Sequence, residues 1–246
     1  MEFVLYYLLS AIAALIALTV HEYCHGYAAY KLGDDTAKSF GRLTLNPLKH
    51  LDLYGVICLI LFRIGWAKPV PINARNFKNP KWGFVITAAA GPLSNLILSF
   101  FSALIALLFG VLRAKGDFDS DFVYFLVYNT ELFFTLFHLI NLGLAIFNLL
   151  PIPPFDGSRL ISAFLPAEIY FNIMKHERKI YYGVLAALLF GTHIANALRS
   201  IPFIGNNPVL NFIAGSFALS EIIGIVIDWV SDLMVSFWQL FPFLQV

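Results

Sequence analysis

The sequence has little charge for its length. Only 13% of its 246 residues are charged, whereas 59% are hydrophobic and the mean hydropathy is +0.77. A soluble globule of this size needs more polar surface than this composition supplies. The shortage of charge therefore excludes an ordinary soluble protein and predicts a membrane protein that is surrounded by the lipid bilayer.

Basic clusters and cysteines are also scarce. The net charge is only +1, and no concentrated basic face of the kind that binds nucleic acid is present, so we expect no nucleic-acid partner. The two cysteines, Cys24 and Cys58, lie within or beside apolar runs, which argues against an extracellular disulfide scaffold. We interpret both as small buried hydrophobic residues.

Long apolar runs, in contrast, are abundant. A helix needs roughly 20 apolar residues to cross about 30 Å of hydrocarbon. Runs of about this length predict transmembrane helices at Phe3–Tyr30, Gly83–Leu112, Phe122–Leu150, Ile180–Leu198 and Pro208–Ile227. The shorter run Tyr54–Ile64 predicts a re-entrant or interfacial element. The predicted fold is an all-α polytopic membrane protein with about five to six transmembrane helices, in a single domain over residues 1–246.

A small membrane-associated β element is predicted between the first two long runs. Gly41–Leu45 and Trp66–Ile72 indicate short strands, because Pro69 and Pro71 exclude a helix from the second segment. Proline also places such a strand at a sheet edge, whose free backbone groups can bind another chain. An ordinary irregular loop is the alternative for the same residues.

The distribution of basic residues predicts the orientation of the chain. Nine Lys or Arg residues lie between Lys31 and Lys81 and four between Arg159 and Lys179, against three in the other connections. The positive-inside rule places the two basic regions in the cytoplasm. We therefore expect the N-terminus outside and the C-terminus inside.

The first apolar run ends in an HExxH pattern, His21-Glu22-Tyr23-Cys24-His25. On a helix, its histidines lie about 40° apart around the axis and about 6 Å apart along it, close enough to bind one metal ion. Glu22 lies in the same arc, where it can take a proton from water that zinc has acidified to a pKa of about 7. Ionisable groups in a spanning helix indicate function, although a polar lining of the helix bundle is the structural alternative.

A catalytic zinc ion usually has three protein ligands and one open position. The third ligand is to be sought among the remaining histidines and two acids, namely His50, His138, His176, His193, Glu131 and Asp156. Asp156 is favoured because three prolines end the preceding span at the depth of the HExxH pattern, and Gly157 allows the backbone to turn. N-capping of a helix over Ser158–Phe164 is the alternative role for Asp156.

Three segments in this order resemble the signature segments of the site-2 protease family of intramembrane zinc metalloproteases. They are His21 to His25, Ala90-Gly-Pro-Leu-Ser-Asn95, and Asn148-Leu-Leu-Pro-Ile-Pro-Pro-Phe-Asp-Gly157. In addition, Lys31–Lys81 is similar to the compact bacterial members, and we expect no PDZ or CBS domain here. The resemblance implies one Zn²⁺ per chain and a location in a bacterial plasma membrane.

The resemblance also implies an organisation and a set of roles. A three-helix catalytic core would occupy about residues 3–165, and accessory helices about 176–246. His21, His25 and Asp156 would bind the zinc, Glu22 would be the catalytic base, and the substrate would be a membrane protein or membrane-anchored peptide. Asn95 and Asn148 would bind the substrate strand or the developing oxyanion, with hydrogen bonding between helices as the structural alternative.

Other functions remain open from the residues alone. A metal or proton transporter would use the same His and Asp side chains as a relay, but would be expected to show paired broken helices in two related halves, and no such repeat is visible. A haem-binding cytochrome would need histidines on different helices.

Polar residues outside the motifs have structural interpretations as well. Glu131 and His138 share one face of the third run and suggest either a pairing between helices or a water path. The acids Glu221, Asp228 and Asp232 suggest a solvated helix end.

Overall fold

A computed structural model describes residues 2–52, 55, 67–208, 210–211 and 219–245. Within them the α-helices are α1 (Glu2–Lys31), α2 (Thr36–Ser39), α3 (Pro80–Lys115), α4 (Asp121–Asn148), α5 (Asp156–Ile161), α6 (Ala167–Lys175), α7 (Glu177–Arg199), α8 (Pro202–Gly205) and α9 (Leu219–Gln239). Short 3-10 turns lie at Pro47–Lys49, Ala74–Asn76 and Pro242–Leu244. The predicted all-α architecture is confirmed.

Three helices, α1, α3 and α4, are long and apolar enough to cross a membrane. Helix α7 provides a fourth span if its two halves, which bend by 52° between Leu188 and Phe190, are counted as one. The predicted count of five or six is therefore not reached in the described residues. The re-entrant run Tyr54–Ile64 lies outside them apart from Gly55, and the predicted span Pro208–Ile227 is described only in part, its last residues forming the start of α9.

The ends of α3 and α4 follow from local sequence. Helix α3 begins after Asn79, whose side chain accepts a hydrogen bond from the Trp82 backbone N–H, and Pro80 occupies the first helical position. Helix α4 ends at Asn148, just before the prolines that cannot continue a helix. The chain is thereby forced into a non-helical connection directly beside the HExxH pattern.

Helices α1, α3 and α4 pack against one another and form the core. Small residues lie at the contacts, since Ala17 of α1, Ala103 of α3 and Ala145 of α4 are buried. Small side chains allow helix backbones to approach closely, which drives association in lipid. Large apolar side chains such as Phe101 are exposed on the outside, as expected for a surface that faces lipid.

The two predicted strands are not confirmed. Gly41–Leu45 forms turns and bends. Of the second predicted strand, Trp66 lies outside the described residues. Residues 67–73, called here the 67–73 segment, are extended, and within the described part of the chain they pair only through an isolated antiparallel bridge between Leu51 and Ala67. The reason lies in the backbone donors of the segment. Its two prolines have no N–H, and two of its other N–H groups are bound by carboxylates of side chains rather than by a strand.

Candidate metal centre and cavity

Helix α1 places His21 and His25 one turn apart on the face that packs against α3. Both side chains are buried, at 5% and 7% exposure, and their rings lie edge to face with centroids 4.6 Å apart. The two Nε2 atoms are 3.0 Å apart. The helical spacing in the sequence therefore brings two nitrogen ligands to one point.

Asp156 reaches the same point from the connection that follows α4. It is the first residue of α5 and makes no side-chain cap, because its Oδ2 instead approaches the two histidines. Gly157 makes this approach feasible, since a Cβ at this position would collide with the backbone carbonyls of Leu149 and Leu150. The capping alternative for Asp156 is therefore not what the structure shows.

The three side chains form a triangle of ligand atoms. Asp156 Oδ2 is 3.1 Å from His25 Nε2 and 3.3 Å from His21 Nε2. A tetrahedral zinc ion with bonds of about 2.0–2.1 Å holds its ligand atoms about 3.3 Å apart. The donor set and its spacing thus fit zinc, and among the described residues this is the group of His, Cys, Asp and Glu side chains that could hold a metal ion.

The histidine nitrogens that face away from this triangle are bound by α3. His25 Nδ1 is 2.7 Å from the Thr87 carbonyl oxygen, and His21 Nδ1 is 2.5 Å from Asn95 Oδ1. Gly91 lies between these two contacts, where any Cβ would collide with both imidazole rings. The Gly-Pro-Leu-Ser-Asn motif therefore places the backbone of α3 directly behind the histidines.

Glu22 faces the 67–73 segment. Its Oε2 accepts a hydrogen bond of 2.8 Å from the Val70 backbone N–H. The segment is held at its other positions too, because the Arg42 guanidinium donates to the Lys68 carbonyl and the Lys68 N–H donates to the His50 carbonyl. This segment was predicted as a strand, but in the structure it positions the predicted catalytic carboxylate.

Asp34 fixes the far end of the 67–73 segment. Its carboxylate accepts hydrogen bonds from the backbone N–H groups of Thr36 and Asn73, and from the side chains of Thr36 and Asn76. Burial alone would raise the pKa of Asp34, but these hydrogen bonds outweigh it and hold the pKa below its usual value. The connection between α1 and α3 is thus tied to a charged group that the sequence analysis did not single out.

A cavity of about 340 Å³ opens beside the triangle. Its polar side chains are His21, Glu22, His25, Asn148, Asp156, Arg159 and Tyr181. Apolar side chains of α4 and α7 form the opposite wall, namely Leu144, Phe147, Val184, Leu185 and Leu188. Such a mainly apolar cleft with a few convergent polar groups is typical of a ligand site. The contribution of α7, an accessory helix, could not be read from the sequence.

The two predicted substrate-binding asparagines are placed differently. Asn148 lines the cavity, and its Nδ2 donates to the Leu144 carbonyl of its own helix at 2.9 Å. Asn95 is fully buried behind His21 and is not among the cavity residues. Its side chain is hydrogen-bonded instead to Asn141 of α4.

Of the other acids and histidines singled out from the sequence, Glu131, His138 and Glu221 pair with other groups. Glu131 forms a two-point ion pair with Arg113, and His138 is hydrogen-bonded to Ser99 and to Ser231, so both residues join helices as one of their predicted alternatives required. Glu221 of α9 forms an ion pair of 3.0 Å with Arg199 of α7, which corrects its interpretation as a merely solvated residue. Asp228 and Asp232 are exposed.

Comparison with known proteins gives a family match. Peptidase family M50 matches residues 9–192, a range that includes the triangle, Glu22, Asn95 and the part of α7 that lines the cavity. No solved structure matches the chain.

Relatives in three organisms are named "Putative zinc metalloprotease". The chain is 40% identical to YwhC of Bacillus subtilis over 194 residues, which are 77% of this chain and 84% of the relative. It is 30% identical to Rip2 of Mycolicibacterium smegmatis over 63% of this chain and 56% of the relative. It is 32% identical to MJ0611 of Methanocaldococcus jannaschii over 64% of this chain and 71% of the relative.

Proposed function

Because the chain belongs to peptidase family M50 and is an intramembrane metalloprotease, we propose that it hydrolyses peptide bonds of membrane proteins at a zinc ion bound in its helical core. The observation that carries the proposal is the triangle of His21, His25 and Asp156, whose ligand atoms have the spacing of a tetrahedral zinc site. The transporter alternative has no support among the relatives, all of which carry a metalloprotease name.

The three triangle residues would hold the ion, and all three line the cavity. A zinc ion with three protein ligands keeps one position for water, lowers the pKa of that water to about 7 and polarises a carbonyl group. The apolar wall from α4 and α7 limits access of bulk water to this place.

Glu22 is the general base. It takes a proton from the attacking water and later passes it to the leaving amine, in the usual sequence of acid–base catalysis. The Val70 N–H binds Oε2 and so keeps the carboxylate turned toward the cavity that both residues line. Glu22 itself is not one of the three proposed ligands.

The substrate binds in an extended form. A helical peptide carbonyl is already hydrogen-bonded and covered by its own turn, so a membrane-spanning substrate must unwind locally before it can react. Pro69, Val70 and Ile72 of the 67–73 segment line the cavity and offer extended backbone beside the reacting carbonyl. Asn148, on the opposite side, is the amide that steadies the developing oxyanion.

The basic connections favour a position of this site toward the cytoplasmic side of the membrane. The end of α1 that carries the triangle leads into the region with nine Lys or Arg residues. By the positive-inside rule, cleavage takes place near the cytoplasmic surface of a plasma membrane.

Metal analysis and a cleavage assay together test the proposal. Detergent-purified protein should contain about one zinc per chain, and both His21→Ala and Asp156→Ala should lose zinc and cleavage of a model membrane substrate. Glu22→Gln should keep the zinc and lose at least about 100-fold in kcat, because only the proton transfer is removed. Zinc retained in Asp156→Ala would exclude the third ligand, and full cleavage by Glu22→Gln would exclude the base.

A further inference from the structure

Two side-chain amides form a hydrogen-bonded chain behind His21. Asn95 Oδ1 lies 2.5 Å from His21 Nδ1, and Asn95 Nδ2 lies 2.7 Å from Asn141 Oδ1. Both asparagines have 0% exposure. This hydrogen-bonded chain thus connects α1, α3 and α4 inside the core.

Backbone carbonyls fix the direction of this chain, because a carbonyl oxygen can only accept a hydrogen bond. The Phe137 carbonyl accepts from Asn141 Nδ2 at 2.7 Å, which turns Asn141 Oδ1 toward Asn95. The Ala17 carbonyl accepts from Asn95 Nδ2 at 3.3 Å, so the two hydrogens of that amide go to Ala17 and Asn141. Asn95 is therefore left with its oxygen facing His21.

The direction of the chain determines which nitrogen of His21 carries the proton. An acceptor oxygen opposite Nδ1 requires the hydrogen on Nδ1, which leaves the lone pair of Nε2 for a metal ion. His25 is set in the same way by the Thr87 carbonyl. Both histidines thus direct Nε2 lone pairs into the triangle with Asp156.

Given the zinc site proposed above, on which this inference rests, we propose that Asn95 and Asn141 are positioning residues that set the tautomer and ring orientation of His21. The alternative role of Asn95, binding of the substrate oxyanion, needs a free N–H group directed into the cavity. Asn95 does not line the cavity, and its two amide hydrogens already have acceptors. Loss of such a partner of a metal-binding histidine typically weakens metal binding about 10–100-fold.

The test is the zinc dissociation constant of detergent-purified protein, measured by competition with a chromogenic chelator. Asn95→Leu removes the acceptor at nearly constant volume and should weaken zinc binding about 10–100-fold. Asn141→Leu should cause a smaller loss, because Asn141 acts only by orienting Asn95. The double variant should bind zinc as weakly as Asn95→Leu does. If the two substitutions caused independent packing defects, their losses of zinc-binding free energy would instead add.

Two further variants separate positioning from other roles. Asn95→Asp keeps an oxygen acceptor for His21 and should bind zinc more tightly than Asn95→Leu. Asn148 lines the cavity but does not belong to the hydrogen-bonded chain of Asn95 and Asn141. Asn148→Leu should therefore keep the wild-type zinc affinity while cleavage falls. The visible spectrum of the cobalt-substituted protein gives a second readout, since a turned His21 ring would alter the tetrahedral cobalt bands.

The outcomes distinguish this inference from the proposed function. Absence of zinc from the wild type would refute the zinc site itself. Wild-type zinc affinity in Asn95→Leu together with reduced cleavage would overturn the positioning role alone. Asn95 would then be assigned to substrate binding instead. Should Asn95→Leu fail to fold, equal zinc affinities in Asn141→Leu and the wild type would overturn the inference.

Discussion

Substitution of Gly91 by alanine tests how closely α3 must approach the metal-binding histidines. The added Cβ would lie 2.6 Å from His25 Cε1 and 2.7 Å from His21 Cε1, whereas ordinary contacts begin at 3.4 Å. A free side chain could turn away at little cost, but the Thr87 carbonyl and Asn95 hold both rings at Nδ1. The rings must therefore move by about 1 Å, several times the tolerance of about 0.2 Å for metal–ligand distances.

The expected result is a loss of zinc affinity together with a loss of stability. Overpacking of this kind costs about 1–3 kcal/mol. Gly110→Ala is the matched control on the same helix, because among the described residues its Cβ would make only an ordinary van der Waals contact of 3.4 Å with the Glu131 carboxylate. Both variants share the gain of up to about 1 kcal/mol from a better helix former, so the difference between them isolates the clash. Zinc content, cleavage and thermal unfolding in detergent are measured for both. Equal zinc affinity in Gly91→Ala and Gly110→Ala would refute this account of α3.

Three other predictions follow from the described contacts. Because hydrogen bonds lower the pKa of Asp34, its stabilising effect is complete above its unfolded-state pKa of about 3.9 and is lost as pH falls through the lower folded value. Asp34→Asn should accordingly lower the free energy of unfolding by about 1–3 kcal/mol at pH 7. The difference in unfolding temperature between this variant and the wild type should shrink below about pH 4. Removal of zinc by a chelator should lower the unfolding temperature of the wild type by an amount corresponding to about 2.7 kcal/mol, for free zinc at 100 times Kd, and should leave His21→Ala unchanged. Glu221→Gln should change the free energy of unfolding by at most about 1 kcal/mol, since the ion pair of Glu221 with Arg199 is only partly buried. Zinc binding should stay intact in this variant, and a large loss of zinc would contradict the separation of α9 from the site.

Sequence reasoning reached the parts of the site that depend on short-range spacing. His21 and His25 lie four residues apart on a helix, so their proximity follows from local geometry. The prolines before Asp156 dictate an interruption of the helix, but the contact of Asp156 with the histidines is tertiary. The position of Asn141 could not be obtained in this way, because its partner belongs to another helix. The Thr87 contact is made by a backbone carbonyl, which every residue has and no side-chain pattern reveals.

The predicted strands are not confirmed, for a related reason. Extended conformation in the 67–73 segment could be inferred from Pro69 and Pro71, but a strand also needs a partner for its backbone. The partners in the structure are the carboxylates of Glu22 and Asp34, which are distant in the sequence. The two prolines therefore gave the backbone shape of the segment, whereas its pairing depended on tertiary contacts.

Helix α3 contributes no ligand to the triangle, yet the site depends on it. Buried polar groups are costly in a membrane protein unless each finds a partner, and two imidazoles have four nitrogen atoms to satisfy. The metal can satisfy only the two Nε2 atoms, so the two Nδ1 atoms need acceptors supplied by the protein. Thr87 and Asn95 provide those acceptors two turns apart on α3, and Gly91 between them removes the side chain that would hold the helices apart. Packing of α1 against α3 and the geometry of the metal site therefore depend on the same contacts, because the contacts that bring the helices together also orient the ligands.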